Sequence, residues 1–255
     1  MSSASCHIVI CVPCYNESKR LDRDGFVEFV QDYPAVRFLF VNDGSTDQTL
    51  KVLTDLAARH ENLQVLNLEQ NSGKAEAVRQ GVLYACNAFT PDYVGFWDAD
   101  LATPLEELPQ FIKILAEQDF DAVTGLRLVR LGAKVKRKAL RHHLGRVFAT
   151  AASQVLRLSV YDTQCGAKLY KAKLAACLFG EKFISRWLFD VEILARYVQR
   201  YGVCEVKKRI YEYPLFAWED KSGSQVKVKD FVKAPLELWK IKRRYLSNRK
   251  MLINK

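Results

Sequence analysis

The chain has 255 residues, 49% hydrophobic and 27% charged, with a formal net charge of +10. That composition excludes a disordered or fibrous polymer and suffices for one sizeable core. No run approaches the roughly 18 apolar residues of a membrane span, and the start lacks a basic-then-apolar leader, so a cytoplasmic protein with reduced cysteines is expected.

The charge is unevenly divided. Residues 1–121 hold 9 basic and 19 acidic side chains, residues 122–161 hold 9 basic and no acidic ones, and from residue 204 onward 14 basic side chains face 6 acidic. An acidic half precedes a basic one, and the second half is expected to meet anions: phosphate groups, an anionic membrane surface or nucleic acid.

In chain order, apolar runs at residues 7–12, 36–41, 63–68, 93–97 and 121–125 read as buried strands. Residues 46–59 and 74–88 have helical periodicity, and Ser45 with Gln48 reads as a capping box opening the first helix. The alternation predicts an α/β fold, a mostly parallel sheet with helices on both faces. Cys11 and Cys14 have the spacing of a redox or zinc pair, but they fall in or beside a buried strand with no second pair and read as small core residues. In the second half, residues 134–158 read as a helix preceded by a loop, 167–170 as a short strand and 188–201 as an amphipathic helix. Residues 203–213 alternate like a strand, and 228–245 form a last helix with a basic end.

In such sheets ligands bind beyond the carboxyl ends of the strands. Polar clusters fall at those ends: Pro13-Cys14-Tyr15-Asn16-Glu17, Asn42-Asp43-Gly44-Ser45-Thr46-Asp47, Asn71-Ser72-Gly73-Lys74 and Asp98-Ala99-Asp100. Asp98 and Asp100 lie two apart, so their carboxylates point the same way. Two such carboxylates repel unless a cation or hydrogen bonds compensate them, and hard oxygen ligands suit Mg²⁺ or Mn²⁺. Alone the pair reads rather as a solvated turn or a helix cap ahead of Pro104; its delivery by an apolar strand favours a site. Glu17 and Asp43 also read as turn residues. A lysine at a helix start such as Lys74 needs a compensating partner.

In this order and spacing the four motifs resemble the family-2 glycosyltransferases with the GT-A fold, over residues 7–245. Asp162-Thr163-Gln164-Cys165-Gly166-Ala167-Lys168-Leu169-Tyr170 and Arg186-Trp187-Leu188-Phe189-Asp190-Val191-Glu192 resemble the branch that makes polyprenyl- or dolichyl-phosphate glucose. The resemblance implies a GT-A domain over residues 1–215, with a nucleotide-sugar half (1–121) and an acceptor half (122–215), followed by a basic helical tail (216–255). It implies a metal-dependent, inverting transfer of a hexose, glucose from UDP-glucose, from a nucleoside-diphosphate sugar to polyprenyl or dolichyl phosphate.

Carried over, Pro13, Tyr15 and Glu17 line the nucleotide pocket, Asp43 binds uracil or ribose, and Lys74 and Asp98 face the nucleotide sugar. Asp98 and Asp100 hold the Mg²⁺ or Mn²⁺. Arg127 matches the family's arginine after the fifth strand and, with Arg137 and Arg141, holds the acceptor phosphate. Asp162 either orients or deprotonates the acceptor, or caps a helix; Asp190 and Glu192 either contact sugar hydroxyls or favour a helix start. Ala102 stands where dolichyl-phosphate mannose relatives carry a metal-binding Gln, and Ala75-Glu76 stand where small glycines are usual. The end of the last helix, residues 238–245, lies either on the anionic cytoplasmic face of a membrane or in solvent. Within the same class the alternatives are a GDP-mannose donor or a soluble glycan acceptor; outside it they are a basic nucleic-acid-binding protein, which leaves the acidic loops unexplained so that no nucleic acid is expected, and a nucleotide-sugar sensor without turnover.

Overall fold

The computed structural model describes residues 6–136, 139–221 and 228–247. Its first half runs β1 (Ile8–Cys14), α1 (Arg23–Asp32), β2 (Val36–Asp43), α2 (Thr49–Ala57), β3 (Leu63–Leu68), α3 (Lys74–Phe89), β4 (Tyr93–Trp97), α4 (Leu108–Glu117) and β5 (Ala122–Leu126). The second half runs β6 (Lys134–Lys136), α5 (Ala139–Leu156), β7 (Ala167–Lys171), α6 (Ala172–Leu178), α7 (Phe189–Tyr201), α8 (Val203–Arg209), β8 (Ile210–Pro214), β9 (Ala217–Glu219) and α9 (Val228–Tyr245).

Seven strands form one sheet in the order β3-β2-β1-β4-β7-β5-β8. Its ladders are parallel except those of β7, which runs antiparallel to both β4 and β5. That reversal brings the residues just before β7 to the edge where β4 and β5 end. The fit between β4 and β7 is close, because a Cβ on Gly95 would lie 2.0 Å from the Lys168 carbonyl oxygen. A separate parallel pair, β6 with β9, covers the loop after β4 through the bond from Glu219 N–H to the Ala102 carbonyl, 3.0 Å.

Successive strand side chains point to opposite faces. Thus β1 sends Val9 and Cys11 against α3, and Ile8, Ile10, Val12 and Cys14 to the other face, where Phe26 of α1 meets Phe38 and Phe40 edge-on at 5.0 Å. Cys11 and Cys14 are therefore buried, free and on opposite sides of the sheet, which a shared metal could not tolerate. One face carries α3, α5, α6, α7 and α9, the other α1, α2 and α4. Ala234, Leu238, Ile241 and Tyr245 of α9 are buried in the first of these cores, so the segment beyond residue 215 builds part of the globule. Among the described residues no helix is long and apolar enough to cross a membrane.

Three local expectations are corrected. The capping box of Ser45 and Gln48 does not form; α2 starts at Thr49, whose N–H donates to Asp47 Oδ1 (2.9 Å), while Ser45 Oγ accepts from Asn16 N–H (3.1 Å). Residues 203–209 are the short helix α8, set off from α7 by Gly202 at φ +82°, and the strand begins only at Ile210. The α7 helix is buried on all sides over residues 189–198 rather than amphipathic, because α9 and α5 cover what the sheet does not. Its charges are matched internally: Glu192, at 0% exposure, accepts from Arg196 Nη2 (2.7 Å), Tyr245 Oη (2.9 Å) and Ile184 N–H (2.8 Å). Glu192 is thereby removed from any sugar.

Candidate active site

Each loop at the carboxyl edge contains a residue in the left-handed region: Asn16 (φ 55°), Gly44 (φ 60°), Gly73 (φ 90°) and Leu101 (φ 49°). Asn tolerates this conformation and Gly adopts it freely, but a leucine there is strained, and such strain concentrates at functional sites. At Gly44 a Cβ would also fall 2.4 Å from Asn71 N, so that loop accepts no side chain.

The loops are tied to one another by side chains. Asn16 Oδ1 accepts from Thr46 N–H (2.9 Å), Thr49 Oγ1 accepts from Glu17 N–H (2.8 Å), and Asp47 Oδ2 accepts from the Ser18 hydroxyl (2.6 Å). Burial opposes the charge on Asp47, yet hydrogen bonds from Ser18 and Thr49 hold its carboxyl down to about 2. Asp43 is buried, with Oδ1 accepting from Ser72 N–H (2.7 Å) and Oδ2 from Gly73 N–H (2.8 Å). Its structural work is to fix the turn that starts α3, so a nucleotide contact would use only its remaining lone pairs. Arg186 reinforces the same turn, donating from Nε (3.1 Å) and Nη2 (2.6 Å) to the Ser72 carbonyl. The result is a rigid rim in which Pro13, Tyr15 and Glu17 are half-buried.

The acidic pair sits on a turn closed by Leu101 N–H donating to the Asp98 carbonyl (3.1 Å) and by Trp97 Nε1 donating to the Thr103 carbonyl (2.8 Å). Asp100 Oδ1 accepts from Ala102 N–H (3.0 Å). Burial pushes the Asp100 carboxyl up, and the charge of Asp98 pushes it further. Lys74 forms an ion pair with Asp98, the compensation that a lysine at the start of α3 requires. Burial works against the Lys74 charge, but Asp98 and Asp190 outweigh it and raise its pKa. Glu17 belongs to the same field: Oε1 accepts from Arg20 (2.6 Å), Oε2 is buried without a partner, and burial followed by the charges of Asp100 and Asp47 pushes the carboxyl up against Arg20.

Behind the acidic pair lies a charge the sequence reading missed. Lys168, the second residue of β7 and buried, donates from Nζ to Asp190 Oδ1 (2.7 Å) and to the carbonyls of Cys165 (2.5 Å) and Thr163 (3.1 Å). Burial raises the Asp190 carboxyl, with Lys168 and then Lys74 pulling the other way. Asp190 thus stands between two lysines, and charges alternate from Lys168 through Asp190 and Lys74 to Asp98. A lysine flanked by Ala167 and Leu169 within the strand was the available signal, since an unpaired lysine is almost never buried.

Arg127 and Asp162, expected to act separately, form one bidentate pair: Arg127 Nε to Oδ2 (2.7 Å) and Nη2 to Oδ1 (2.8 Å). Burial works against the Arg127 charge, but Asp162, and more weakly Asp98, outweigh it and raise its pKa. The Arg127 guanidinium also rests 5.2 Å over the Trp218 ring. Arg137 lies outside the described residues, as does the side chain of Arg141. The site therefore brings together Glu17, Lys74, Asp98 and Asp100, with Arg127 and Asp162 forming the wall on the β5 side.

A parallel sheet with this antiparallel insertion, carrying an acidic pair at the end of β4, is the architecture of the GT-A glycosyltransferases. Glucosyl-3-phosphoglycerate synthase from Mycobacterium tuberculosis, solved with Mn²⁺, UDP and glucosyl-3-phosphoglycerate, superposes with a TM-score of 0.67 at 17% identity, covering 93% of this chain and 80% of that one. A mannosyltransferase from Pyrobaculum calidifontis, solved with GDP-Man and Mn²⁺, gives 0.56 at 19% identity, covering 86% and 58%. Residues 9–179 match the profile of glycosyl transferase family 2, and the chain belongs to that family. Its relatives include dolichyl-phosphate beta-glucosyltransferases of Trichomonas vaginalis, 32% identical over 94% of this chain and 72% of the relative, and of Saccharomyces cerevisiae, 29% identical over 93% and 74%. The chain is a glycosyltransferase.

Proposed function

We propose that this glycosyltransferase moves glucose from UDP-glucose to a polyprenyl or dolichyl phosphate, with inversion, at the cytoplasmic face of a membrane. The observation that carries the reading is the turn holding Asp98 and Asp100, set between the loops after β1 to β3 and the basic wall at Arg127. Similarity to dolichyl-phosphate beta-glucosyltransferases over nearly the whole chain supports the glucosyl group and the acceptor. The division of labour follows the charge: residues 1–121 hold the nucleotide sugar and 122–215 the acceptor.

The two carboxylates fit a divalent cation. They are oxygen donors two residues apart, the pKa of Asp100 is raised by burial and then by Asp98, and among the described residues no cluster of three or more His, Cys, Asp or Glu side chains could enclose a metal alone. Mg²⁺ or Mn²⁺ held by Asp98 and Asp100 would therefore share its shell with diphosphate oxygens and water. When bound, it neutralises the departing diphosphate. Pro13, Tyr15, Glu17 and Asp43 form the nucleotide side. Lys74 supplies a fixed positive charge beside Asp98, with which it forms an ion pair.

A phosphate acceptor is already ionised at neutral pH, so the barrier lies in placing two anions together, and no strong base is required. In that setting Asp162, whose charge Arg127 matches, orients the arginine toward the acceptor and has no proton to remove. Arg137 and Arg141 remain candidates for the acceptor phosphate.

Incubation with UDP-glucose, Mn²⁺ and a short polyprenyl phosphate is expected to release UDP. Failure with every acceptor, while UDP and Mn²⁺ still bind, would instead favour the sensor reading. Because the protein supplies few ligands, cation and nucleotide should stabilise together. At about 100 times its dissociation constant the pair adds roughly 2.7 kcal/mol, a rise of about 5–10 °C in Tm for a domain of this size, whereas Mn²⁺ alone moves Tm little. Equal shifts from Mn²⁺ alone would require a complete protein cage.

Gly166→Ala tests the placement of Asp98. The new Cβ would lie 1.9 Å from Asp98 Oδ2, which displaces the carboxylate by about 1 Å or more and is expected to lower kcat/KM on the order of 10²-fold with the fold retained. A variant as active as the parent would remove Asp98 from the donor site.

A further inference from the structure

The loop between β5 and β6 carries a cluster of exposed apolar and basic side chains that the transfer reaction does not use. Leu131 is 99% exposed, Val129 56% and, from the facing segment before β9, Phe216 50%. Single exposed apolar residues are normal, but these three belong to one structure. Lys134 N–H donates to the Phe216 carbonyl (2.7 Å), and the Lys134 ammonium lies 5.9 Å from the Phe216 ring. The tip is a turn closed by Ala133 N–H to the Arg130 carbonyl (3.2 Å), with Gly132 at φ +80° placing Leu131 outermost.

The base of the loop is braced. β6 pairs with β9, Ala217 N–H donates to Glu107 Oε1 (2.7 Å), and Glu219 N–H donates to the Ala102 carbonyl (3.0 Å). Arg130 and Lys134 flank the tip, both exposed; residues 122–161 contain no acidic side chain, and Glu219 of the facing β9 is paired with Lys136 (3.2 Å). The loop starts at Arg127, at the wall of the site.

We propose that this loop is a membrane-docking element, in which Leu131, Val129 and Phe216 enter the headgroup region of an anionic bilayer while Arg130 and Lys134 contact lipid phosphates. The assignment rests on the lipid-phosphate reading of the active site. An acceptor whose tail is buried in a bilayer presents its phosphate only at the surface, so the enzyme must bring its acceptor wall there, and the residues next to Arg127 are built for that contact. Charge complementarity selects an anionic surface over a neutral one. The end of α9 competes poorly, because Leu238, Ile241 and Tyr245 are spent on the core, leaving Trp239 and Leu236 outside.

The test uses the full chain and vesicles of phosphatidylcholine with or without about one-third phosphatidylserine. Wild-type protein is expected to co-sediment with the anionic vesicles only, with binding that falls as salt rises. Leu131→Glu is expected to cut the bound fraction at least tenfold with Tm unchanged, since its side chain touches almost nothing, whereas Trp239→Glu has little effect. With turnover as readout, Leu131→Glu should retain activity on a short water-soluble acceptor and lose at least tenfold on a long-chain acceptor in vesicles. The docking proposal is overturned if wild-type ignores anionic vesicles, if Leu131→Glu binds normally, or if Trp239→Glu abolishes binding instead. Vesicle binding requires no turnover, so absence of transfer to any lipid phosphate would strike the function while leaving the docking result to stand separately.

Discussion

Asp100→Asn should reduce kcat/KM by about three orders of magnitude, near the upper end for loss of one preorganised charge-stabilising group. The substitution keeps size and shape, and the amide oxygen can still accept from Ala102 N–H, so the turn at Leu101 survives. What is lost is a negative charge that is already costly: burial and Asp98 raise the Asp100 pKa. Removing it relieves repulsion, so the free protein should become slightly more stable while losing its hold on the cation. The measurement is paired: UDP release, and the Tm shift given by UDP with Mn²⁺, which should nearly vanish in the variant. A variant that turns over normally, or keeps the full joint shift, would remove Asp100 from the cation site.

The second large effect concerns Lys168. Its ammonium is buried and serves three acceptors, Asp190 foremost. Lys168→Met leaves Asp190 buried beside two orphaned carbonyls, and breaking a buried pair from one side costs about 3–5 kcal/mol, or roughly 10 °C in Tm for a chain of this size. Burial already raises the Asp190 carboxyl against the pull of both lysines, and removing Lys168 raises it further. The folded variant then holds a proton that the unfolded chain releases near the ordinary value of 3.8, so its stability declines as pH climbs above that value. Denaturant melts from pH 4 to 8 should show the deficit relative to wild type growing toward neutrality. Lys168→Met combined with Asp190→Leu should recover most of the stability, since a buried pair replaced by apolar groups is often neutral. It should not recover activity, because the carboxylate behind Lys74 and Asp98 is gone and the alternation of charge ends there. A single variant with wild-type stability at every pH would show that Asp190 needs no partner.

The first half of the fold was legible because its signals are local. Apolar runs marked β1 to β5, and the loops that follow the first four strands announced themselves by Asn, Gly, Ser and Asp. The short helices α1 and α4 passed unread: their apolar faces are narrow, with Phe26, Phe29 and Val30 in one and Leu108, Phe111 and Leu115 in the other. Pairing across distance was not legible at all. That β7 enters between β4 and β5, that Arg127 closes on Asp162 35 residues later, and that Lys168 meets Asp190 are consequences of sheet order, which no window of sequence encodes. Asp43 and Glu192 show the same limit from another side. Each was noticed for its charge, and each proves to spend that charge on neighbouring groups, one on a turn and one in the interior.

The position of β7 also dictates an order of events on the ribosome. β1 to β4 pair only among themselves until residue 167 is made, so this four-stranded unit can be complete while later residues are still being synthesised. β5 has no strand to pair with until β7 exists, and until then β4 keeps one edge bare, including the close-approach position at Gly95. The acidic turn, whose Asp98 N–H donates to the Gly166 carbonyl at 3.0 Å, is among the last parts to acquire its neighbours. A nascent chain paused within α5 therefore exposes an unpaired, apolar strand edge, the kind of surface on which chaperones act and chains associate.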